Sequence, residues 1–429
     1  MKRLLTILLC AIMLVSFAGC SSSDGGSAST DSNEPVTITI WGTWTNAQKE
    51  ALEKYAADFT ASQDKYTVVY EDQVYDGFSG TLQNAVVAGV GPDIVIDYAS
   101  TAATYLDLGR IADISKYIDA SYVSTLTDGA YEESHSYVED GMYNYPIVLS
   151  GPVIWYNPEI LEAAGVEVPT TWDEMFAASK TISETVTVVT DANGNKTYVT
   201  DGTGEHIYGF ASDSHTDIAE TWIKQLGGDI YDTAAEEAVF NTPEFAAMLQ
   251  QYQDGINDSS LMSGPTGDYL SNDFNAGIVA MYYGSVAGAP YLQATHEAAK
   301  VPTVAGGTAW TSAWQRGVLI FDYADEARIE GAVAFLEYFA SPEINEDWCE
   351  KCNYTSCLKW TTELDSYQAF LAENTSLQCL EPEIAGTLPA VPAQSAVRTA
   401  LKNLITNVGA GTNVDEALAE AVQYVADNK

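Results

Sequence analysis

From Val36 onward, apolar and polar residues follow one another with two different periods, and the switches between the periods mark the elements. Val36, Ile38 and Ile40 alternate with Thr37 and Thr39, which predicts a strand with one buried face. Thr45 and Gln48 form a T-x-x-Q capping box, after which Leu52, Tyr55, Ala56 and Phe59 recur at helical spacing. Tyr66 to Tyr70 is rich in β-formers. Leu82, Ala85, Val86 and Gly89 mark a second amphipathic helix, and Asp93 to Asp97 reads as a buried strand entered through Gly91-Pro92. Strands alternating with helices of this length predict an α/β fold with mostly parallel sheets and right-handed crossovers. Ligands of such sheets sit beyond the carboxyl ends of the strands, here Gly42 to Trp44 and Tyr98 to Thr101.

The same grammar returns downstream. Pro158 to Ala164 is a short helix stopped by Gly165, and Thr171 to Glu174 is a T-x-x-E capping box opening another helix. Val186 to Val199, broken at Asn193-Gly194, predicts a hairpin with a two-residue turn. Phe245, Met248, Leu249 and Tyr252 stripe one more helix after Thr242-Pro243, and Val414, Leu418, Ala421, Val422 and Val425 stripe the terminal one. No repeat of fixed period interrupts this, so a solenoid is not expected.

The first segment is built differently. Lys2 and Arg3 precede an apolar run from Leu4 to Val15 that is too short for a membrane span and reads as an export signal, residues 1–19. Its Ala18-Gly19-Cys20 ending resembles the lipobox of bacterial lipoproteins, although Phe17 stands where Leu is usual. That resemblance implies Cys20 as a lipid anchor followed by a Ser/Gly-rich tether, residues 20–35, which has nothing to bury and a reach of roughly 20 Å. The expected location is extracytoplasmic, attached to the cell membrane through lipid alone. Removal of the leader leaves 410 of the 429 residues, a length suited to two domains, and moves the formal charge from −42 to −44. Such acidity excludes nucleic acid as a partner, because phosphate binding needs clustered cations.

Catalytic signatures are missing. The four histidines stand at no ligand spacing, and there is no phosphate-binding loop, nucleophile elbow or G-x-G-x-x-G, so neither an enzyme nor a cofactor is expected. Asp191 to Asn195 imitates the start of a calcium loop but has Lys196 where Gly is needed and Gly202 where Glu is needed. Cys349, Cys352, Cys357 and Cys379 form an even set in an exported chain, consistent with two disulfides in any of three pairings or with free thiols; their spacing lacks the paired knuckles of a zinc site, and no metal is expected. Aromatics are the stronger signal. The chain has nine Trp and 26 Tyr, and Trp41, Trp44, Tyr98, Tyr283, Trp310 and Trp314 fall in segments predicted as loops, where flat rings can stack on the C–H faces of sugars.

Several blocks, in this order, resemble the extracellular solute-binding proteins of family 1, the relatives of the maltose-binding protein: GPDIVIDYAS from Gly91, the run from Tyr145 to Met175, WIKQLGGDIYD from Trp222, FNAGIVAMYYGS from Phe274, GAVAFLEYFASPE from Gly331, then SAVRTAL and NVDEALAEAV. The resemblance covers Val36 to Lys429. It implies a two-lobed periplasmic-binding-protein-like fold of type II whose chain crosses more than once, with residues 36–149 and about 316–357 in the first lobe and about 150–315 and about 380–429 in the second. It also implies a monomeric carbohydrate receptor serving the permease subunits of an ABC importer. By the family pattern Ser150 lies near the first crossing, at Pro146 to Ser150, and touches ligand. His215 to Asp217 lie in a cleft-facing loop, Ser285 follows a core strand, and Trp314 to Arg316 occupy the return crossing. The expected ligand contacts are therefore Trp44, Tyr98, Ser150, Asp217, Ser285, Trp314 and Arg316. Gln394 and Ser395 stand where the maltose-binding protein has aromatics, and Val286 and Ala287 replace another, which points to a sugar smaller than, or linked differently from, a long maltodextrin.

Two other readings follow from composition. Asp97, Asp213 and Asp217 near the expected cleft suit a polyamine or other cationic solute, and sixty acidic residues leave room for the carboxylate pair of a secreted glycosidase. An adhesin would bind no small solute at all.

Overall fold

The computed structural model describes residues 34–429 apart from 45, 75–76, 107, 136–140, 268, 381–384 and 387–392. The leader, Cys20 and nearly all of the tether lie outside the described residues, as does Thr45 of the first capping box. Residues 36–429 form one unit.

Alternation in the first segment becomes β1 (Val36–Gly42), and the helical stripe becomes α1 (Asn46–Ser62), burying Leu52, Tyr55, Ala56 and Phe59. Strand β2 (Tyr66–Asp72), helix α2 (Phe78–Ala88) and strand β3 (Ile94–Tyr98) complete two β-α-β units. Strand β4 (Tyr145–Ser150), buried throughout, and β5 (Pro152–Tyr156) are separated by Gly151 alone. Next come α3 (Trp172–Thr185), β6 (Tyr208–Ser212), α4 (His215–Gln225), β7 (Val279–Ser285) and β8 (Glu297–Ala299). The chain then runs through β9 (Trp314–Ile320), α5 (Glu326–Phe339), α6 (Pro342–Cys352) and β10 (Thr355–Ser356), and ends with α7 (Gln394–Gly409) and α8 (Val414–Asn428).

Two main sheets result. The first is six-stranded in the order β10-β4-β9-β3-β1-β2, and the second four-stranded in the order β8-β5-β7-β6. Both are mixed, not mostly parallel. β1 runs parallel to β2 and β3, and β7 parallel to β6, whereas β9 is antiparallel to β3 and β4, β10 to β4, and β5 to β7 and β8. Local periodicity gives the direction of strands joined by a helix. It says nothing of a strand such as β9 that arrives from the other sheet, which needs no helical crossover and can enter in the opposite sense.

Helix ends follow their sequence signals. Thr171 and Glu174 exchange both bonds of the capping box at the start of α3, and Asn157 caps the helix Pro158–Ala164, which Gly165 terminates in the left-handed region. The hairpin between Thr187–Thr190 and Lys196–Val199 differs from the expected two-residue turn. Its loop spans residues 191–195, because the Asp191 carboxylate accepts from the backbone N–H groups of Asn193 (2.8 Å) and Asn195 (2.9 Å) and from Asn195 Nδ2 (2.9 Å). The carboxylate is therefore spent within its own turn.

Cys349, Cys352 and Cys357 are buried free thiols, contrary to the disulfide option. Their sulfurs point at different partners: Cys349 approaches Asn345 Oδ1, Cys357 approaches Gln315 Oε1, and the Cys379 thiol donates to the Ala298 carbonyl 3.4 Å away.

Strand β6 lies so close to α3 that a Cβ on Gly209 would stand 2.1 Å from Ser179 Cα. Gly209→Ala must force the helix off the strand, and the expected outcome is a loss of about 2–4 kcal/mol of stability, read as a lower denaturation midpoint in guanidinium at unchanged slope.

Candidate functional site

The carboxyl ends of β1 and β3 meet the start of β9 where the chain passes between the sheets. Gly42 ends β1 two residues before Trp44, Tyr98 ends β3, and Trp314 opens β9 opposite Ser150, the last residue of β4. This is the topological switch point of the first sheet, the place where open α/β sheets hold ligands.

Arg316 occupies its centre. The guanidinium carbon lies 4.7 Å from the Trp44 ring centroid and 4.8 Å from that of Tyr98, and Nε and Nη2 both donate to the Tyr98 hydroxyl oxygen at 3.2 and 2.9 Å. Each cation–π contact contributes roughly 0.5–2 kcal/mol. A β-bulge creates the arrangement: the pairing of β9 with β4 slips between Arg316 and Gly317, which re-aims the Arg316 side chain. The slip requires glycine at 317, since a Cβ there would meet the Tyr145 carbonyl oxygen at 2.5 Å and Asn144 Oδ1 at 2.4 Å. Burial raises the Asp97 carboxyl above its ordinary range, opposed by the nearby Arg316 charge and by the donors Tyr98 N–H and Thr101 Oγ1.

From Tyr98 the contacts continue across the junction. Tyr98 meets Trp314 edge to face, 5.3 Å between centroids at 72°. The Arg398 guanidinium, carried by α7, lies 4.1 Å from the Trp314 centroid and pairs with two carboxylates of α4, Glu220 at 3.0 Å and Asp217 at 3.4 Å. Glu220 is 1% exposed. Burial first and the Asp217 charge second push its carboxyl up to about 8, with Arg398 and the Ser312 hydroxyl, which donates at 3.2 Å, pulling the other way.

The structure joins four of the expected contacts in one run, Trp44–Arg316–Tyr98–Trp314, and links Asp217 to it through Arg398. Trp44 is 8% exposed, edge-on to Trp348 at 5.0 Å and covered by Arg316, so it is part of the wall and not a bare stacking face. Ser150 is buried beside the Tyr354 hydroxyl. Ser285 is exposed at the end of β7, paired with Pro152 just beyond the first crossing. Pro146 to Ser150 belong to β4, and the crossing itself is Gly151. His215 to Asp217 form the first turn of α4, not a loop, because Ser214 caps the helix by accepting from Asp217 N–H. His215 is engaged by Thr406 and Ser263. Tyr283, read as a loop aromatic, is a buried residue of β7 bonded to Thr221, and Val286 is fully buried, so its place offers nothing to a ligand.

Arg398 and Glu220 were absent from the sequence-based set. Asp217 and Glu220 stand three apart on one helix and therefore share a face, which is the signal that could have found Glu220. Arg398 carries no such mark, since its neighbours on α7 only report a buried stripe. A shallow depression of about 620 Å³, lined among others by Ile118, Val123, Leu126, Tyr131 and Lys359, contains none of these groups.

Comparison with known proteins places the chain among binding proteins. The model of the bacterial extracellular solute-binding protein family matches residues 54–371. The maltodextrin-binding protein MdxE of Bacillus subtilis is 23% identical, over 100% of this chain and 98% of that protein. The sn-glycerol-3-phosphate-binding periplasmic protein UgpB of Yersinia pestis is also 23% identical, over 79% of this chain and 77% of its own length. Among solved structures, the cyclic alpha-maltosyl-1,6-maltose binding protein of Arthrobacter globiformis superposes with a TM-score of 0.75 at 22% identity, covering 92% of this chain and 98% of that one.

Because the Glu220 carboxyl lies above its ordinary value of 4.5 in the folded state, the folded chain holds a proton that the unfolded chain has released. Stability then falls as pH rises from 4.5 to about 8 and levels beyond. Urea denaturation at intervals across that window should show the decline in the wild type and a shallower one in Glu220→Gln.

Proposed function

The chain belongs to the bacterial extracellular solute-binding proteins, and from that premise we propose that it captures a carbohydrate at the junction of its two sheets and delivers it to the permease of an ABC importer. A binding protein returns its solute unchanged, which sets the glycosidase reading aside. The observation that carries the carbohydrate reading is the aromatic run Tyr98–Trp314 at the switch point, continued by hydrogen-bonding groups from both sides of the junction. Rings present apolar faces and edges to sugar C–H groups while guanidinium and carboxylate groups bracket hydroxyls. MdxE and the Arthrobacter protein, similar in sequence and fold respectively, bear names that record binding of maltodextrin and of a cyclic maltosyl-maltose.

The ligand contacts in this reading are Tyr98, Arg316 and Trp314 on the first-sheet side, with Asp217 and Ser285 on the other, Trp44 backing Arg316, and Ser150 setting the crossing. Residues 36–149 and about 316–357 make one lobe, and about 150–315 and 380–429 the other. Solute shifts a hinge equilibrium toward closure by touching both. The cationic-solute reading is weaker, because the carboxylates it needs are already occupied: Asp217 by Arg398, Asp213 by the Leu270 N–H, and Asp97 by Tyr98 and Thr101. The protein acts as a monomer held to the outer face of the membrane by acylated Cys20. Among the described residues no helix is long and apolar enough to cross a membrane.

Calorimetry against a panel of neutral and acidic saccharides and polyamines should give heat only with saccharides. Tyr98→Ala and Trp314→Ala should each weaken that binding by about 1–3 kcal/mol. Binding of polyamines with a steep loss in salt, and none of saccharides, would overturn the reading. Cys20→Ser should release the protein from the membrane fraction; retention there would remove the lipid anchor.

A further inference from the structure

Arg316, largely covered at the switch point, has no carboxylate at ion-pair distance among the described residues. Its counterparts show how unusual that is here. Arg328 reaches Asp93 at 2.6 Å, and Arg398 reaches both Glu220 and Asp217. Acidic residues outnumber basic ones 60 to 18, so carboxylates are abundant, yet none is placed on this guanidinium. Asp97, the nearest acid in the sheet, turns its carboxylate to Tyr98 N–H and Thr101 Oγ1. Trp44 and Tyr98 hold the planar group on its faces, and the Tyr98 hydroxyl occupies Nε and one Nη2 hydrogen. The Nη1 hydrogens have no acceptor among the described residues.

A guanidinium fixed on its faces and left open at its far edge is a fork for a planar anion. The bulge at Arg316/Gly317 aims it at the switch point where the solute is expected. Building on the carbohydrate reading above, we propose that the solute is an acidic saccharide, a sugar bearing a carboxylate, and that Arg316 is the residue that receives the carboxylate. A single negative charge suits the place better than the two of a phosphate, because Asp97 lies close enough to act on the guanidinium charge and Asp217 faces the same junction through Arg398. The cation then finds in the ligand the close counter-ion that the protein does not place on it, which favours capture of an anionic sugar.

The test is calorimetry of the purified protein with matched pairs: uronic-acid mono- and disaccharides, the same sugars as neutral amides or alcohols, and the corresponding sugar phosphates. We expect the uronates to bind roughly tenfold or more tighter than their neutral partners, a ratio set by a charge-assisted bond, and tighter than the phosphates. Arg316→Gln should bring uronate and neutral partner to near-equal affinity, while Arg316→Lys keeps part of the preference; melting curves of both variants show whether the fold is intact. If Arg316→Gln fails to fold, the wild-type preference and its decline with salt decide the matter alone. Neutral sugars binding as well as uronates overturns this inference and leaves carbohydrate binding standing. Phosphates binding best overturns the choice of carboxylate, and silence from every saccharide overturns both readings.

Discussion

Everything at the junction depends on how one guanidinium is held. Arg316 sits on a strand that has just arrived from the other half of the molecule, and two aromatic faces and a phenol oxygen fix it. Those partners come from the loop after β1 and the end of β3, so the cation ties the incoming strand to the parallel core of the first sheet. Tyr98 passes the linkage to Trp314, and Trp314 to Arg398 on the far side.

Charge is used sparingly and in opposite ways at the two ends of this run. Arg398 has two acidic partners, Asp217 and Glu220, and Glu220 is so deeply enclosed that its carboxyl lies well above the usual range. A buried pair of this kind adds little to net stability, but removal of either partner strands the other. Arg316 is held by ring faces and the Tyr98 hydroxyl, with no carboxylate at ion-pair distance among the described residues. In a chain this acidic, basic side chains are scarce, and two of the few arginines stand at one crossing.

Much of the fold was legible because local periodicity and caps act over a few residues. The stripe Leu52, Tyr55, Ala56 and Phe59, the box from Thr171 to Glu174 and the stop at Gly165 all reappear in the structure as read. Strand direction in the mixed sheets was not legible, since β9 pairs with partners more than 160 residues away and no short-range signal encodes its sense. The site was half legible. Loop aromatics at strand ends pointed to Trp44, Tyr98 and Trp314, but exposure cannot be read from a ring alone, and Trp44 proved enclosed while Tyr283 proved to be core. Arg398 was hidden because its importance comes from three residues of other elements, Trp314, Asp217 and Glu220, that only folding assembles around it.

Gly151, where the chain leaves the first sheet for the second, and Ala313, just before the chain re-enters the first sheet at β9, run shoulder to shoulder, with Ser150 paired to Trp314 and a Cβ at 151 falling 3.6 Å from that of Ala313. Paired pins set this close define an axis. Rotation about it is cheap, whereas translation of one half along the other would have to stretch two backbones at once. A cargo resting near the pins therefore feels almost no leverage, and one resting at the rim feels the full swing, so the distance of a contact from the axis decides how strongly it is converted into movement.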